Sequence, residues 1–395
     1  MSGIKVSGRA DIAPFFVMEM MRAAAQREAT GGDVVHMEVG QPSSPAPAGA
    51  RAAAKAAIDN DVLGYTDAVG IEPLRARLVQ HYADWYGHDA DPGRIVITQG
   101  ASGAFTLAFL SCFEAGDRVA VTAPGYPCYR NTLEALDIDV VEIAVTPETG
   151  FRLTAEMVEG AGPLDGLVVA SPANPTGTML IADELGRLAR WCHSAGVRLV
   201  SDEIYHGISY GSEAATAAAH SPSAVVVNSF SKYFSMTGWR LGWLLLPPEL
   251  VAPVERLAQN ATIAAATVSQ HAALGAFDSI DELEANVARY TANRQILLDG
   301  LPAAGIDRIA PPDGAFYIYA NVDHLTDDSA ELAAVWLGEL GIATTPGIDF
   351  DPAEGHRYIR FSFAGSNDDM GQTVERLTNW AKQRGPSSFV GMRLG

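Results

Sequence analysis

A lysine and an aspartate stand at the ends of two short apolar runs in the middle of the sequence. Lys232 closes the stretch NSFSK, and Asp202 closes the stretch VRLVSD. Burial at the end of a strand lowers the pKa of a lysine, and the neutral amine forms Schiff bases with carbonyl compounds. A buried carboxylate requires a cationic partner or hydrogen-bond donors. Taken singly, Lys232 is also compatible with a solvated lysine, and Asp202 with a helix N-cap.

Three further groups follow other apolar runs. The small residues at 100–103 (GASG) open a helix, where free N–H groups and a hydroxyl can bind a phosphate. Tyr126, in PGYP, places an aromatic ring after the next run. Asn174, in SPANPTG, has its amide held by a turn whose Asn–Pro bond is a candidate cis peptide. Small residues in such turns and packed tyrosines are common, so these groups carry weight only in combination.

The elements that must position these groups are seven short, β-branched runs separated by helix-like stretches. They lie at 94–100, 118–123, 139–145, 166–171, 197–202, 224–229 and 240–247. Apolar runs that alternate with helices predict a mostly parallel sheet covered on both faces. The last run follows the sixth after a connection too short for a helical crossover, which favours an antiparallel orientation. Ligands of such sheets bind beyond the carboxyl ends of the strands, where all five groups converge.

The sequence predicts the α/β class with two domains. Helices are expected at 101–113, 129–136, 182–195 and 248–278, the last long and Ala-rich. After about residue 298 prolines break the pattern, and GAFYIYANV, a helix at 329–340, RYIRFSFA and a helix at 368–383 follow. We therefore expect a large domain (48–298) with a seven-stranded mostly parallel sheet covered by helices. A smaller α+β domain is expected from the N- and C-terminal segments (1–47 and 299–395).

Composition narrows the class of protein. The chain has 395 residues and a net charge of −20, which argues against nucleic acid or an anionic membrane as a partner. Three cysteines without zinc spacing indicate a reducing compartment and no metal site. No signal-peptide pattern opens the sequence, and no apolar run reaches the roughly 18–20 residues that span a bilayer. A cytoplasmic location is expected.

The strand-end groups together fit one cofactor. Pyridoxal 5'-phosphate needs a Schiff-base lysine, an acid for its pyridine nitrogen and a phosphate cradle, which Lys232, Asp202 and the 100–103 turn supply. The sequence has neither GxGxxG after a first strand nor GxxxxGK[ST], which argues against a nucleotide-binding enzyme.

At this point the sequence resembles a known family, the fold-type I aminotransferases of class I/II related to aspartate aminotransferase. The matching stretches run in the family's order from about residue 40 to residue 364. They are YTDAVGIEPLR, PGYPCY, NPTG, SDEIY, SFSKYFSMTGWRLGW, GAFY and RFSFA.

The resemblance implies roles around the cofactor ring. Lys232 would hold the cofactor as an internal aldimine and shuttle the proton of the substrate α-carbon. Asp202 would keep the pyridine nitrogen protonated, and Tyr126 would stack on the ring. Asn174 and Tyr205 would hydrogen-bond the ring hydroxyl oxygen.

The resemblance also implies how the charged ends of the ligands are bound. The phosphate would be held by Gly100, Ala101, Ser102, Ser229 and Arg240, helped by Tyr65 from the neighbouring subunit of a homodimer with shared active sites. The substrate α-carboxylate would pair with Arg360, assisted by Asn174 and the Gly40 backbone.

Departures from the family pattern bear on the substrate. Some relatives specific for dicarboxylic acids carry an arginine in the stretch corresponding to 259–266, and others a lysine near the phosphate loop. This chain has QNATIAAA and Ser102 at those places. The expected reaction is therefore transamination between a neutral or aromatic α-amino acid and a 2-oxo acid.

Two other functions compete with this one. The first is a C–S β-lyase or related elimination enzyme, because the same scaffold supports several reactions of the bound cofactor. The second is a non-catalytic effector domain of a transcription regulator, which would need an added DNA-binding segment. The sequence has neither a basic patch nor spare length for such a segment.

Overall fold

The computed structural model describes residues 4–388, and this range contains twelve β-strands. In chain order they are β1 (Val35–His36), β2 (Ile95–Thr98), β3 (Arg118–Ala123), β4 (Asp139–Ala144), β5 (Gly166–Ala170), β6 (Arg198–Asp202), β7 (Val225–Ser229), β8 (Gly242–Leu245), β9 (Tyr317–Asn321), β10 (Ile342–Ala343), β11 (Thr345–Pro346) and β12 (Tyr358–Ser362).

Twelve α-helices of the same range surround the strands. They are α1 (Phe16–Ala29), α2 (Ala48–Asn60), α3 (Glu72–Tyr86), α4 (Gly100–Cys112), α5 (Pro127–Ala135), α6 (Ala155–Gly160), α7 (Ala182–Ala195), α8 (Pro248–Ala261), α9 (Thr267–Ala276), α10 (Ile280–Gly300), α11 (Ser329–Val335) and α12 (Asn367–Ser388). A π-helical turn, Trp336–Leu340, continues α11. No helix within residues 4–388 combines the length and the apolar character needed to cross a bilayer.

The central sheet has seven strands in the order β2-β8-β7-β6-β5-β3-β4. The pairs among β3 to β7 are parallel, whereas β8 runs antiparallel to both of its neighbours. Every residue of β2, β7 and β8 is buried, as expected for strands covered on both faces. The predicted α/β class, the mostly parallel seven-stranded sheet and the antiparallel last strand are therefore confirmed.

Two small sheets lie outside the central one. β11, β12 and β9 form an antiparallel sheet, and β1 pairs in parallel with β10 through Val35 and Ile342. The pairing of β1 with β10 joins the N-terminal segment to the C-terminal part of the chain. The boundaries proposed for the two domains stay a prediction.

One predicted helix is wrong in its length. The stretch 248–278 forms two helices, α8 and α9, separated by residues 262–266. Ile263 in this break has a φ of 66°, a left-handed backbone conformation that a helix cannot contain. Ala-rich composition favoured a continuous helix, but helix propensity is weak compared with the tertiary contacts that fix such a break.

Candidate active site

A cavity of about 290 Å³ lies beyond the carboxyl ends of the central strands. Eleven of the residues proposed from the sequence line it, namely Gly40, Ala101, Ser102, Tyr126, Asn174, Asp202, Tyr205, Ser229, Lys232, Arg240 and Arg360. Gly100 lies directly behind this lining, and Tyr65 lies outside it. The groups that the strand ends were expected to bring together therefore meet in one place.

Lys232 follows β7 in the short connection to β8, and its side chain reaches the cavity. Its Nζ donates a hydrogen bond to the Gly40 carbonyl oxygen at 2.5 Å. Burial and the nearby Arg360 guanidinium lower the pKa of Lys232 to about 8, although Asp202 opposes this effect. The amine therefore loses its proton at a pH much closer to neutrality than that of an ordinary lysine.

Asp202 ends β6 and is only 2% exposed. The Tyr129 hydroxyl donates a short hydrogen bond to its Oδ2, and the Ile204 N–H donates to its Oδ1 at 3.1 Å. Burial raises the pKa of Asp202 to about 6, while these two hydrogen bonds favour the anion. The hydrogen bonds hold the carboxylate in a fixed orientation at the wall of the cavity.

Sequence reasoning missed Tyr129, because only the first tyrosine of PGYPCY was singled out. The rings of Tyr126 and Tyr129, the two tyrosines of this motif, pack edge to face with their centroids 5.4 Å apart. α5 begins at Pro127, so its first turn points Tyr129 at Asp202 while Tyr126 precedes the helix. A buried carboxylate such as Asp202 needs a hydrogen-bond donor, and Tyr129, three residues after Tyr126, was a candidate visible in the sequence.

Arg360 on β12 is 4% exposed and is held on several sides. Its Nη1 donates to Asn174 Oδ1 at 2.9 Å, and its Nη2 donates to Thr345 Oγ1 at 3.1 Å and also to the Glu38 carbonyl. Its Nε has no hydrogen-bond partner among residues 4–388. A buried guanidinium fixed in this way has donor capacity left for an anionic ligand.

Tyr317 on β9 connects two of the proposed residues and was not predicted as a site residue, although it lies in the GAFY motif. Its hydroxyl lies 2.6 Å from that of Tyr205, and its ring lies 4.5 Å from the Arg360 guanidinium carbon. A Cβ at Gly40 would lie 1.8 Å from the Tyr317 hydroxyl, so position 40 admits only glycine in this arrangement. Burial raises the pKa of Tyr205 above its ordinary value, which keeps this hydroxyl protonated.

The start of α4 and the connection before β8 form one corner of the cavity, here called the phosphate corner because its donors suit an anion. Gly100 has a φ of +72°, and a Cβ there would lie 2.6 Å from the Arg240 guanidinium. The preceding Gln99 makes no side-chain hydrogen bond to the first turn of α4. Ser102, Ser229 and Arg240 line the same part of the cavity. A helix N-terminus beside an arginine and two hydroxyls suits a phosphate group.

One wall of the cavity comes from the N-terminal helix, whose apolar residues were not predicted as site residues. Phe15, Val17, Met18 and Met21, at and within the start of α1, line the cavity. The Phe15 ring lies 6.1 Å from that of Tyr126. The apolar run FFVMEMM was the available signal, but a run of this kind is equally typical of an ordinary amphipathic helix.

A half-buried amine of lowered pKa, a buried carboxylate and a buried arginine meet at the strand ends of an open α/β sheet, an arrangement that suits chemistry on an amino group. The family model "Aminotransferase class I and II" matches residues 32–377. The chain therefore belongs to the class I and II aminotransferases.

Individual relatives agree with this assignment. The chain is 50% identical over 381 residues to the valine–pyruvate aminotransferase of Mycobacterium tuberculosis, covering 95% of this chain and 98% of that protein. The crystal structure of an aminotransferase from Mycobacterium tuberculosis superimposes with a TM-score of 0.95 at 49% identity, covering 96% of this chain and all of that one. The aspartate aminotransferase of Thermus thermophilus with maleate gives a TM-score of 0.90 at 29% identity, over 95% of this chain and all of that one.

Proposed function

We propose that this aminotransferase moves the amino group of an α-amino acid with a neutral side chain to a 2-oxo acid, using pyridoxal 5'-phosphate held at Lys232. The observation that carries the proposal is that Lys232, Asp202 and Arg360 open into one cavity whose remaining wall is largely apolar. The Mycobacterium tuberculosis relative, named for valine and pyruvate, supports a neutral donor.

The donors and acceptors of the cavity fit the cofactor. Lys232 offers an amine of lowered pKa to its aldehyde, and Asp202 offers a buried carboxylate to its ring nitrogen. The corner of Ser102, Ser229 and Arg240 suits its phosphate. When bound, pyridoxal phosphate supplies an electron sink for the α-carbon of an amino acid.

The protein groups would divide the remaining work. Arg360 would orient the substrate by hydrogen bonds to its α-carboxylate, from a guanidinium that Asn174 and Thr345 hold in place. Lys232 Nζ, once free of the cofactor, would move the proton of the α-carbon between the substrate and the cofactor, a task suited to its lowered pKa. The rings and apolar side chains of the lining would limit the access of water.

The charges of the cavity favour a neutral donor side chain. Within residues 4–388 the lining contains three cations, Lys232, Arg240 and Arg360, and each has a proposed task. Arg9 or Arg22 of the N-terminal segment could have supplied a further cation. Arg9 instead pairs with Asp137 at the surface at 2.6 Å, and Arg22 is exposed and does not line the cavity. The side chain of aspartate would therefore lose its hydration without gaining a cation, at a cost of a few kcal/mol, on the order of that for other unpaired polar groups.

Steady-state kinetics on the cofactor-loaded protein test this function. Valine, alanine, an aromatic amino acid, aspartate and glutamate are compared as donors, with detection of the 2-oxo acid product. We expect kcat/KM for the neutral donors to exceed that for aspartate by roughly tenfold or more. Aspartate as the best donor would contradict the proposal. With an S-substituted cysteine as the substrate and no 2-oxo acid acceptor, release of ammonia, pyruvate and a thiol would instead identify an elimination enzyme.

We propose further that the enzyme is a homodimer in which Tyr65 reaches the phosphate corner of the other subunit. Tyr65 is 85% exposed, and Val62 beside it is 93% exposed. The Gly64 carbonyl accepts a hydrogen bond from Thr267 at 2.6 Å, which fixes this exposed apolar loop against the start of α9. Exposed apolar surface of this kind is typical of protein interfaces.

Sedimentation and subunit mixing test the dimer. Tyr65→Ala and Lys232→Ala subunits should each be impaired alone, and mixing them should regenerate some complete sites. A fully active monomer would contradict the arrangement.

A further inference from the structure

A buried carboxylate far along the chain holds the first turn of α1. Asp349 is 4% exposed, and its two oxygens accept hydrogen bonds from the backbone N–H groups of Phe16 at 3.1 Å and Val17 at 3.4 Å. The residue before the helix, Phe15, makes no side-chain cap of its own. The carboxylate thus satisfies N–H groups that a helix leaves without partners, and its charge suits the positive end of the helix.

The rest of α1 is attached by its other half. Ala24 packs with Leu337 and Ala343, and Arg27 donates to the Gly338 carbonyl at 2.8 Å. Ala24 is the only fully buried residue of the helix. These attachments, with Met20 beside Ala24, lie C-terminal to the first turn, whose backbone N–H groups bond to Asp349 while Phe15 contacts Tyr126.

Asp349 also belongs to a turn that touches the other walls of the cavity. It ends the 3-10 turn Gly347–Asp349, which follows β11. The Phe350 ring lies 4.8 Å from the Arg360 guanidinium carbon, and the Phe350 carbonyl accepts from Gly125 N–H at 3.0 Å, next to Tyr126. One turn therefore contacts α1, Arg360 and the residue next to Tyr126.

We propose that Asp349 is a specificity-determining positioning residue, which fixes the α1 wall against which an apolar donor side chain packs. The inference rests on the proposed function for the identity of the donor, but its structural part does not. A valine side chain reaches further from the α-carbon than the methyl group of alanine. Loss of the wall therefore weakens the binding of valine more than that of alanine.

The test compares Asp349→Ala and Asp349→Asn with Asp328→Ala. Asp328 caps α11 through bonds of 2.8 and 3.2 Å to Ala330 and Glu331 and does not line the cavity, so it is the matched control for loss of a helix cap. We expect the ratio of KM for valine to KM for alanine to rise roughly fivefold in Asp349→Ala, the factor that corresponds to a typical N-cap. Asp349→Asn, which keeps an acceptor oxygen and the side-chain shape, should give a smaller rise. Asp328→Ala should lower the melting temperature without changing the ratio.

A second measurement is independent of activity. Hydrogen exchange of residues 15–21 and tryptic cleavage after the exposed Arg22 should be faster in Asp349→Ala than in the wild type or in Asp328→Ala. If the wild type does not use apolar donors, the proposed function fails, while the attachment of α1 is still decided by exchange. An unchanged KM ratio in variants whose α1 has loosened, or an α1 that stays protected in both Asp349 variants, would overturn the inference.

Discussion

Tyr129→Phe is the most informative single substitution, because it removes one hydrogen bond from Asp202 and leaves the ring in place. Of the two hydrogen bonds to this buried carboxylate described above, only that from the Ile204 N–H, at 3.1 Å, is then left. A hydrogen bond to a charged group contributes about 1.5–3 kcal/mol, and 1.36 kcal/mol corresponds to a tenfold change in acidity. The proton affinity of Asp202 should therefore rise roughly ten- to a hundredfold.

The sign of the effect on the pH profile follows from the pKa of Asp202. Burial raises this pKa to about 6, so the anion is present above that pH and is lost below it. Removing the Tyr129 hydroxyl raises the pKa of Asp202 further. In a plot of cofactor affinity against pH, the fall in affinity on the acid side should therefore move upward by about one to two pH units. The variant should therefore bind pyridoxal phosphate much more weakly than the wild type near pH 6, and with nearly the same affinity near pH 9.

The assay is the dissociation constant of pyridoxal phosphate for the cofactor-free protein between pH 5.5 and 9, read from its absorbance. Tyr233→Phe is the matched control, because the Tyr233 hydroxyl donates to the Glu284 carboxylate at 2.6 Å outside the cavity lining. An acid limb that stays in place, or an equal loss of affinity at every pH, would refute the role assigned to Tyr129.

Three further predictions follow from other contacts of the site. Arg360→Lys loses the fork that Asn174 fixes, so kcat/KM should fall at least tenfold for every donor in steady-state kinetics, and a smaller loss would contradict carboxylate binding there. Gly40→Ala places a methyl group at the Tyr317 hydroxyl and should lower both the melting temperature and the activity, whereas Gly160→Ala, with no atom within 4 Å, should not lower the melting temperature. In cofactor-free protein, borohydride trapping of pyridoxal phosphate on Lys232, located by peptide mapping, should rise with a midpoint near pH 8; label on another lysine or a midpoint near pH 10 would contradict the lowered pKa.

Much of the sheet was predictable, because each strand carries its own signal. The run 118–123 coincides with β3, and β-branched residues with flanking turns marked the others to within about two residues. Helices were harder. α1, α3, α6 and α10 were not predicted, and the break between α8 and α9 depends on a left-handed Ile263 that composition does not encode.

The site divides in the same way. Lys232 and Asp202 follow buried strands, so their position in sequence implies their position in space. Tyr129, Tyr317 and Asp349 act through contacts with residues distant along the chain. The sequence implies that buried Asp202 needs a donor, but it does not encode which distant residue supplies one. The phosphate corner could be predicted only with the family resemblance as well, because the closeness of Arg240 to Gly100 is not visible in the sequence.

The antiparallel strand β8 has a consequence for the order in which the enzyme is built during synthesis. β2 occupies the edge of the central sheet with β8 as its neighbour, and Ile95 pairs with Leu245. The phosphate corner combines residues that follow β2 with Arg240, just before β8. A nascent chain therefore has no phosphate site until residue 245 has left the ribosome, and contacts so distant in sequence form slowly. On the proposed function, capture of the cofactor would therefore follow the completion of the central sheet.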